Sequence, residues 1–314
     1  MALSIDEANT VSSKYYDKTL TPQVYERSPL FWKLKSANKV STDGGTQIQF
    51  AIRYTTLGQA EAVGPRAQVA YQQKETRTGG VDDWKYYVAT TMIQWDERVK
   101  NTGKPQIINL LKDKAQELQD DMFNKFTTDL YATTQQTLTF NALITLVDST
   151  TTCSGIAYTD AAEWVATEDG TTTRLVLYGS GSLSYMINTA TFGSDGPNFI
   201  VTSRNLQSKA ESIIDPQKRY EDVQTADAGF RNVKFHGIPI VGDYACPAGY
   251  MFGLDTSKLE FRFASDYQFK VSPWGELDQA GFLHAMKKSV SWAGNLITTM
   301  RKTHFKYTAL DYTL

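Results

Sequence analysis

The sequence predicts an α+β protein, and three observations carry that prediction. Two strand-like runs, Thr46–Tyr54 and Trp84–Trp95, alternate apolar and polar residues on either side of a polar excursion of roughly 30 residues. A long amphipathic stretch follows, opening near Pro105. The second half then mixes short strand-like and helix-like segments. A loop of that length with sparse aliphatic content is uncommon in a compact enzyme. The excursion is therefore expected to pack on something outside its own chain, which favours a self-assembling building block over a catalyst.

Taken in order, Ala2–Tyr25 is polar with scattered tyrosines and reads as an arm that needs a partner surface. Pro29–Leu34 is an apolar knot, about one helical turn, and Asp43-Gly44-Gly45 is a turn signal. In the first strand Ile48, Phe50, Ile52 and Tyr54 share one face, opposite Gln47, Gln49 and Arg53. The excursion, Thr55–Asp83, contains Gly58, Gly64-Pro65 and Gly79-Gly80. The return strand sets Trp84, Tyr86, Val88, Thr90 and Met92 against Tyr87, Ala89, Ile93 and Trp95. Rings on both sides imply protein on both sides, because a two-stranded ribbon alone is marginal in water.

Asn101–Pro105 is a helix start with proline suited to the first turn. Ile107, Leu111, Ala115, Leu118, Met122, Phe126 and Leu130 form a stripe, broadened by Leu110 and Phe123. About 27 residues at 1.5 Å each give a rod of roughly 40 Å. Beyond it, Asn141–Val147 is a short apolar segment and Glu168-Asp169-Gly170 marks a boundary. Arg174–Tyr178 and Asn198–Thr202 are strand-like, Ser182–Ala190 is a short helix, and Asn205 caps a helix over Leu206–Ile213. Arg231–Val241 is the clearest strand pair of the second half. Gly249–Leu254 and Leu259–Phe263 add two strands, and Ala293–Tyr307 is an extended run returning to the first domain.

Composition narrows the function. Of 314 residues, 41% are hydrophobic and 21% charged, enough to bury a core. A net charge of −2 with both signs interspersed leaves no basic patch suited to nucleic-acid binding as the main task. It also removes one obstacle to dense packing of like copies. Cys153 and Cys246 are too few and too distant for a disulfide framework, and two free thiols are expected. Met1–Tyr15 lacks a secretory pattern and no stretch approaches a membrane span, so a soluble chain made inside the cell is expected.

No catalytic set emerges. His236, His284 and His304 stand in no metal-ligand pattern, and His236, between Phe235 and Gly237, is expected to be a structural strand histidine. Tyr178–Ser182 places glycines between a strand and a helix, as a phosphate cradle would, but lacks the P-loop lysine and an acidic ribose partner. Asp120 and Asp121 diverge by about 100° on a helix, so they make no shared acid–base site. Asp82 and Asp83 are expected to cap the return strand. On the excursion, Arg66, Lys74 and Arg77 are candidates for pairing with carboxylates of a neighbouring copy. Tyr71, Trp84 and Tyr86 are the aromatic candidates for the same contact. One exposed pair contributes only about 0–1 kcal/mol, but symmetric repetition multiplies it.

In this order the parts resemble the major capsid protein family of tailed bacteriophages, whose fold is shared with the herpesvirus capsid floor. Local wording is similar too: Glu97–Lys104 followed by Ile107–Leu111, Ser154-Gly155-Ile156 with Trp164 beyond, Phe199–Ser203 before a helix, and Phe235–Ile240 with Asp243. The resemblance implies an N-terminal arm (1–40), an extended two-stranded E-loop (41–95) and a P domain (96–171) with a spine helix over 104–131. It further implies an A domain (172–290) with a central mixed sheet flanked by helices, and a C-terminal segment (291–314) returning to the P domain. It implies a non-catalytic subunit without cofactor or metal, forming hexamers and pentamers of an icosahedral virion shell around DNA, with assembly in the host cytoplasm. With no room for a large N-terminal scaffolding segment, a separate scaffolding protein and a portal are expected, with a decoration protein as a further partner. Contact with packaged DNA is expected to be weak and non-specific, and no membrane is involved. Some relatives join subunits through a lysine–asparagine bond, but no acceptor carries over to pair with Lys74. Two alternatives stand beside the shell subunit: another virion part such as a tail-tube subunit, and a small-molecule enzyme using the Gly179–Gly181 turn.

Overall fold

A computed structural model describes residues 28–53, 55, 57–66, 68–69, 71–100, 104–159, 164–214, 232–279 and 282–313. The predicted arm up to residue 27 and Tyr54 lie outside the described residues, as do the side chains of Ile107, Leu110 and Leu111. In chain order the elements are α1 (Pro29–Ser36), β1 (Val40–Asp43), β2 (Ile48–Arg53), β3 (Arg77–Asp82), β4 (Lys85–Ile93), α2 (Trp95–Lys100), α3 (Lys104–Leu130) and α4 (Leu143–Leu146). Then come β5 (Thr167–Asp169), α5 (Leu183–Ala190), β6 (Phe199–Ser203), α6 (Arg204–Ile213), β7 (Asn232–Phe235), β8 (Ile238–Asp243), β9 (Met251–Leu254) and β10 (Leu259–Ala264). The chain ends with β11 (Lys270–Val271), β12 (Gly275–Gln279), β13 (Phe282–Thr298), a 3₁₀ turn at Arg301–Thr303 and β14 (Phe305–Tyr307).

Two sheets and a ribbon organise these elements. The first sheet is built on β13, 17 residues long. It pairs antiparallel with β4 on one edge and with β10, β11 and β12 in turn on the other, while β1 adds parallel to β10. The second sheet runs β5-β14-β9-β6-β8-β7. Its strand β6 lies parallel to β8 and antiparallel to β9 and is buried along its whole length. That is the pattern of a strand covered on both faces. Ile200 faces α5 and α6 beside Met186 and Leu206, while Phe199 and Val201 face the core shared with the first sheet.

The long helix forms as its stripe predicts. Ala115, Leu118, Met122, Phe126 and Leu130 are buried, whereas Asp113, Glu117, Asp120 and Asp121 lie on the exposed face. Phe126 meets Trp292 edge-on at 4.8 Å, Tyr87 at 4.9 Å and Phe140 at 5.4 Å between centroids. Phe31 and Phe261 complete this ring cluster. Each such pair adds about 0.5–1.5 kcal/mol beyond area burial. The cluster fixes α3 against the inner face of the first sheet.

Several expectations change. The strand that pairs back with β2 is β3, within the supposed excursion, whereas the predicted return strand forms as β4 but pairs with β13. Gly79 and Gly80 had marked β3 as loop, yet Gly80 lies opposite Phe50, where a Cβ would come within 2.9 Å of the Phe50 ring and 2.5 Å of Ile52 Cδ1. Trp95 opens helix α2 instead of ending a strand. Arg174–Tyr178 is irregular and joins no sheet. Ser203, not Asn205, is the N-cap of α6, because β6 runs straight into the helix. The strand at Leu259–Ala264 joins the first sheet, not the second, and β14 returns to the second sheet. The boundaries expected at 290 and 291 therefore cut through one continuous strand, β13.

Candidate assembly surface

The ribbon base is held by its own chain. Ile48, Phe50 and Ile52 pack with Ile156, Trp164 and Ile297, and Trp84 lies against the group. The Trp84 indole N–H donates to the Gly45 carbonyl at 3.0 Å. Arg262 lies over the Phe50 ring at 5.6 Å and donates to Gln49 O and to the Asp43 and Glu260 carboxylates. The Val81 amide donates to Ser154 O at 3.1 Å, and the Ser154 hydroxyl donates to Asp82 at 2.7 Å. The expected external cover for the ribbon is thus not required at its base.

The tip differs. Every described residue from 57 to 75 is exposed, including Leu57, Val63 and Val69, and Tyr71 is 96% accessible. Gln59 Nε2 donates to Gln72 O at 2.7 Å, tying the two limbs together. Arg66 sits in a turn at the tip, Lys74 on the returning limb and Arg77 at the start of β3, all exposed. Of the six predicted contact residues, Arg66, Tyr71, Lys74 and Arg77 share this loop. Tyr86 stands apart on β4, 72% exposed, and Trp84 is half-buried in the ribbon's base.

Strand alternation on β4 sorts its side chains. Tyr87 points inward, donates its hydroxyl to Asp129 at 2.8 Å and accepts from the Phe140 amide. Burial, then the neighbouring Asp129 carboxylate, pushes the Tyr87 phenol upward, so it stays protonated. Tyr86, Val88 and Met92 point outward and are exposed. Leu138, 83% exposed, lies on the loop whose Thr137 carbonyl accepts from Lys85. Val88, Met92 and Leu138 were not among the predicted contact residues, although the alternation of β4 and a lone leucine in a threonine-rich run carried the signal.

The groups that resembled chemistry turn out to be structural. His236 occupies an exposed hairpin turn with Gly237, both at left-handed φ (50° and 80°), as a two-residue turn between antiparallel strands demands. It is therefore no buried strand histidine. His304 is fully buried: Nδ1 accepts from the Asp255 amide at 3.0 Å and Nε2 lies 3.0 Å from the Thr298 hydroxyl. Burial, aided by the nearby Arg301 charge, lowers it to about 3. At the glycine turn, Asp169 accepts from the Thr171 and Thr172 amides and hydroxyls. A Cβ on Gly181 would meet Thr172 Oγ1 at 2.8 Å and Asp169 Oδ2 at 3.4 Å. A carboxylate occupies the mouth of the supposed anion cradle. Cys153 and Cys246 are free and buried thiols, both pushed up by burial. Among the described residues no group of three histidine, cysteine or acidic side chains is placed to hold a metal, and no helix is long and apolar enough to cross a membrane.

A buried polar cluster escaped sequence reading. Arg301 donates to the carbonyls of Leu146, Thr145 and Thr151 and to the Thr151 hydroxyl. Lys306 pairs with Asp148 at 2.6 Å and Glu168 at 3.2 Å. Burial alone would raise the Asp148 carboxyl, but the Lys306 ammonium and the Thr150 and Thr151 amides outweigh it and hold it at about 2. Nothing in the linear pattern distinguishes these charges from solvated ones.

No protein-family model matches the sequence, and no curated protein matches it. Solved structures do match. The chain is similar to a chain of the cyanophage A-1(L) capsid asymmetric unit, with 15% identity, 92% of each chain covered and a TM-score of 0.65. It is similar to a chain of the capsid of an empty GTA particle, with 8% identity, 87% of this chain and 94% of that chain covered and a TM-score of 0.58. A chain of Mycobacterium phage Adephagia gives 13% identity, 90% coverage of both chains and a TM-score of 0.57. Likeness over nine-tenths of the length at so low an identity is a likeness of architecture, and the chain has the phage capsid fold.

Proposed function

We propose that this protein is a structural, non-catalytic subunit that self-assembles into the icosahedral head of a tailed phage, enclosing its DNA. The observation that carries this beyond fold is the loop tip. An extended limb with exposed Leu57, Val63, Val69 and Tyr71 projects from a base locked to its own body. Such a limb gains cover only from another molecule. We assign the ribbon and tip as the E-loop, α3 as the spine helix, the first sheet with α3 as the P domain, and the second sheet with α5 and α6 as the A domain. Hexamers and pentamers are the expected capsomers, with Arg66, Tyr71, Lys74, Arg77 and Tyr86 among the contacts between copies. A separate scaffolding protein, a portal and a decoration protein are the expected partners, and DNA contact is weak and salt-sensitive. The tail-tube alternative finds no support, and Asp169 in the glycine turn argues against the enzyme alternative.

The test replaces Leu57–Thr76 by a short Gly/Ser turn, leaving β2 and β3 paired. A wider deletion would also remove β3 and expose Phe50 and Ile52. The full chain is expected to form closed shells visible by negative-stain microscopy, and the variant to remain a folded, unassembled subunit. Normal shells from the variant would overturn the proposal.

A further inference from the structure

The ribbon is joined to its own body by few parts. Among the described residues β2 and β3 pair with each other and with no third strand. The chain enters β2 through Gly44 and Gly45; Gly45 has φ 102°, and a Cβ on Gly44 would meet nothing within 4 Å. It leaves β3 through Asp82 and Asp83 on the way to β4. The apolar face of the ribbon is seated on Ile156, Trp164 and Ile297. The exit is polar, and Asp82 is its centre. Its Oδ2 accepts from the Ser154 hydroxyl at 2.7 Å and its Oδ1 accepts from Asn141 Nδ2 at 3.1 Å. The same Asn141 Nδ2 donates to Leu296 O on β13, and the Val81 amide donates to Ser154 O. One carboxyl group thus ties the ribbon's exit to two segments of the body.

Both donors in this tie are neutral. The charged and titratable groups that face Asp82 are Asp83 from the same junction, Lys85 from β4 and the Cys153 thiol from the 153–156 turn. Asp83 repels it, Lys85 donates its ammonium to Thr137 O at 2.9 Å, and the buried thiol stays neutral. Asn141 and Asn295 supply only uncharged amides from the other two sides. A half-buried carboxylate in this setting gives up water without gaining a paired cation. Burial is the largest influence and raises the Asp82 carboxyl above its ordinary 3.8. The Ser154 and Asn141 hydrogen bonds oppose that rise, and the Asp83 charge adds to it.

We infer that Asp82 is a proton-operated catch for the projecting loop. A neutral carboxyl seats the ribbon firmly on its own body, and an ionised one loosens it about the Gly44–Gly45 and Asp82–Asp83 joints. The neutral group keeps both contacts, because its O–H donates to the Ser154 oxygen while its carbonyl accepts from Asn141. Seating withdraws the carboxyl from water, so seating and proton uptake favour each other. The hold is complete below pH 3.8, where the released carboxyl is already neutral, and weakens as pH rises through the raised value of the seated state. The catch belongs to the single subunit and stands whether or not subunits build shells.

Hydrogen–deuterium exchange on the full chain, as unassembled subunit, reads the catch. Protection over 48–53 and 77–82, corrected for intrinsic exchange, is compared between the natural chain and Asp82→Asn from about pH 7 to about pH 4. The comparison cancels groups such as His304 that act on both proteins. Asparagine makes both contacts without charge. Its ribbon is therefore expected to be at least about threefold better protected than the natural one near pH 7, with the difference closing toward pH 4. Two further variants move the natural chain's transition in opposite directions, and they carry the test by themselves if Asp82→Asn does not fold. Asp83→Asn removes the repulsion and moves it to lower pH. Ser154→Gly, which suits the φ of 51° there, removes a hydrogen bond to the ionised form and moves it to higher pH. Parallel pH profiles in the natural chain and Asp82→Asn would overturn the inference, as would a transition that neither further variant moves. Weaker ribbon protection in Asp82→Asn than in the natural chain near pH 7 would make the ionised form the tighter one and overturn it too.

Discussion

Arg301 shows how much one buried side chain can hold. Its guanidinium satisfies three carbonyls on the 145–151 segment from a turn near the C-terminus. Arg301→Met is expected to destabilise the fold by about 3–5 kcal/mol in urea unfolding, because those carbonyls stay buried without donors. Arg301→Lys recovers little, since a lysine cannot reproduce the planar fork. His304 gives a pH dependence with a definite sign. Its folded value of about 3 lies below the ordinary 6.5, so the unfolded chain binds the extra proton first. Stability is then fully present above pH 6.5 and falls as pH drops toward 3, by up to a few kcal/mol. A proton on Nδ1 would confront the Asp255 amide, so the loss has a structural cause. Asp148 adds a loss of the same sign between its ordinary 3.8 and about 2. His304→Asn, which keeps an acceptor for the amide, is expected to flatten the urea midpoint between pH 6.5 and 4, though at a lower plateau.

At the scale of elements, the first sheet depends on one close approach. A Cβ on Gly294 would meet the Arg262 carbonyl oxygen at 2.4 Å and Trp292 ring carbons at 2.6 and 2.7 Å. The main chain of β10 cannot yield without breaking its ladder with β13. Gly294→Ala is expected to cost about 2–4 kcal/mol. Gly275→Ala, with nothing within 4 Å, should be near neutral, and comparing the two melting curves checks the claim. The elements legible from sequence were those with one strong period: α3, β2 and the β7–β8 hairpin. β3 was illegible because its glycines serve packing against Phe50, and glycine in a linear pattern signals a turn. The destination of β4 was illegible because alternation does not name a partner strand. Likewise the exposed tip at Tyr71 was foreseen, while the anchoring of Trp84 and the Arg301–Lys306 cluster were not. The cluster depends on contacts between residues over a hundred positions apart, and Trp84 on a carbonyl 39 positions away.

For the whole molecule, the two sheets are not separable bodies. The largest apolar cluster joins Phe126, Trp292 and Phe261 of the first sheet and α3 to Phe199, Val201, Val241 and Phe252 of the second. Asp243, at the end of β8, accepts hydrogen bonds from Ser28 before α1 and from Tyr131 after α3. The chain leaves the second sheet at β9, builds most of the first through β10–β13, and returns at β14 between β5 and β9. Neither sheet can be completed without strands that flank the other in sequence. Domains joined only by a linker unfold in separate steps, whereas a shared core couples them. The free subunit is therefore expected to unfold in urea with one transition. Near-UV signals from Trp292 in the first sheet and far-UV signals from both sheets should share a midpoint. Truncation after Thr303 removes β14 and Lys306, leaving β5 and β9 without the strand between them and Asp148 without its ammonium. That truncated chain should lose the near-UV spectrum of the first sheet as well as the second. Retention of a native first-sheet signal, or two resolved transitions in the intact chain, would show that the sheets fold independently.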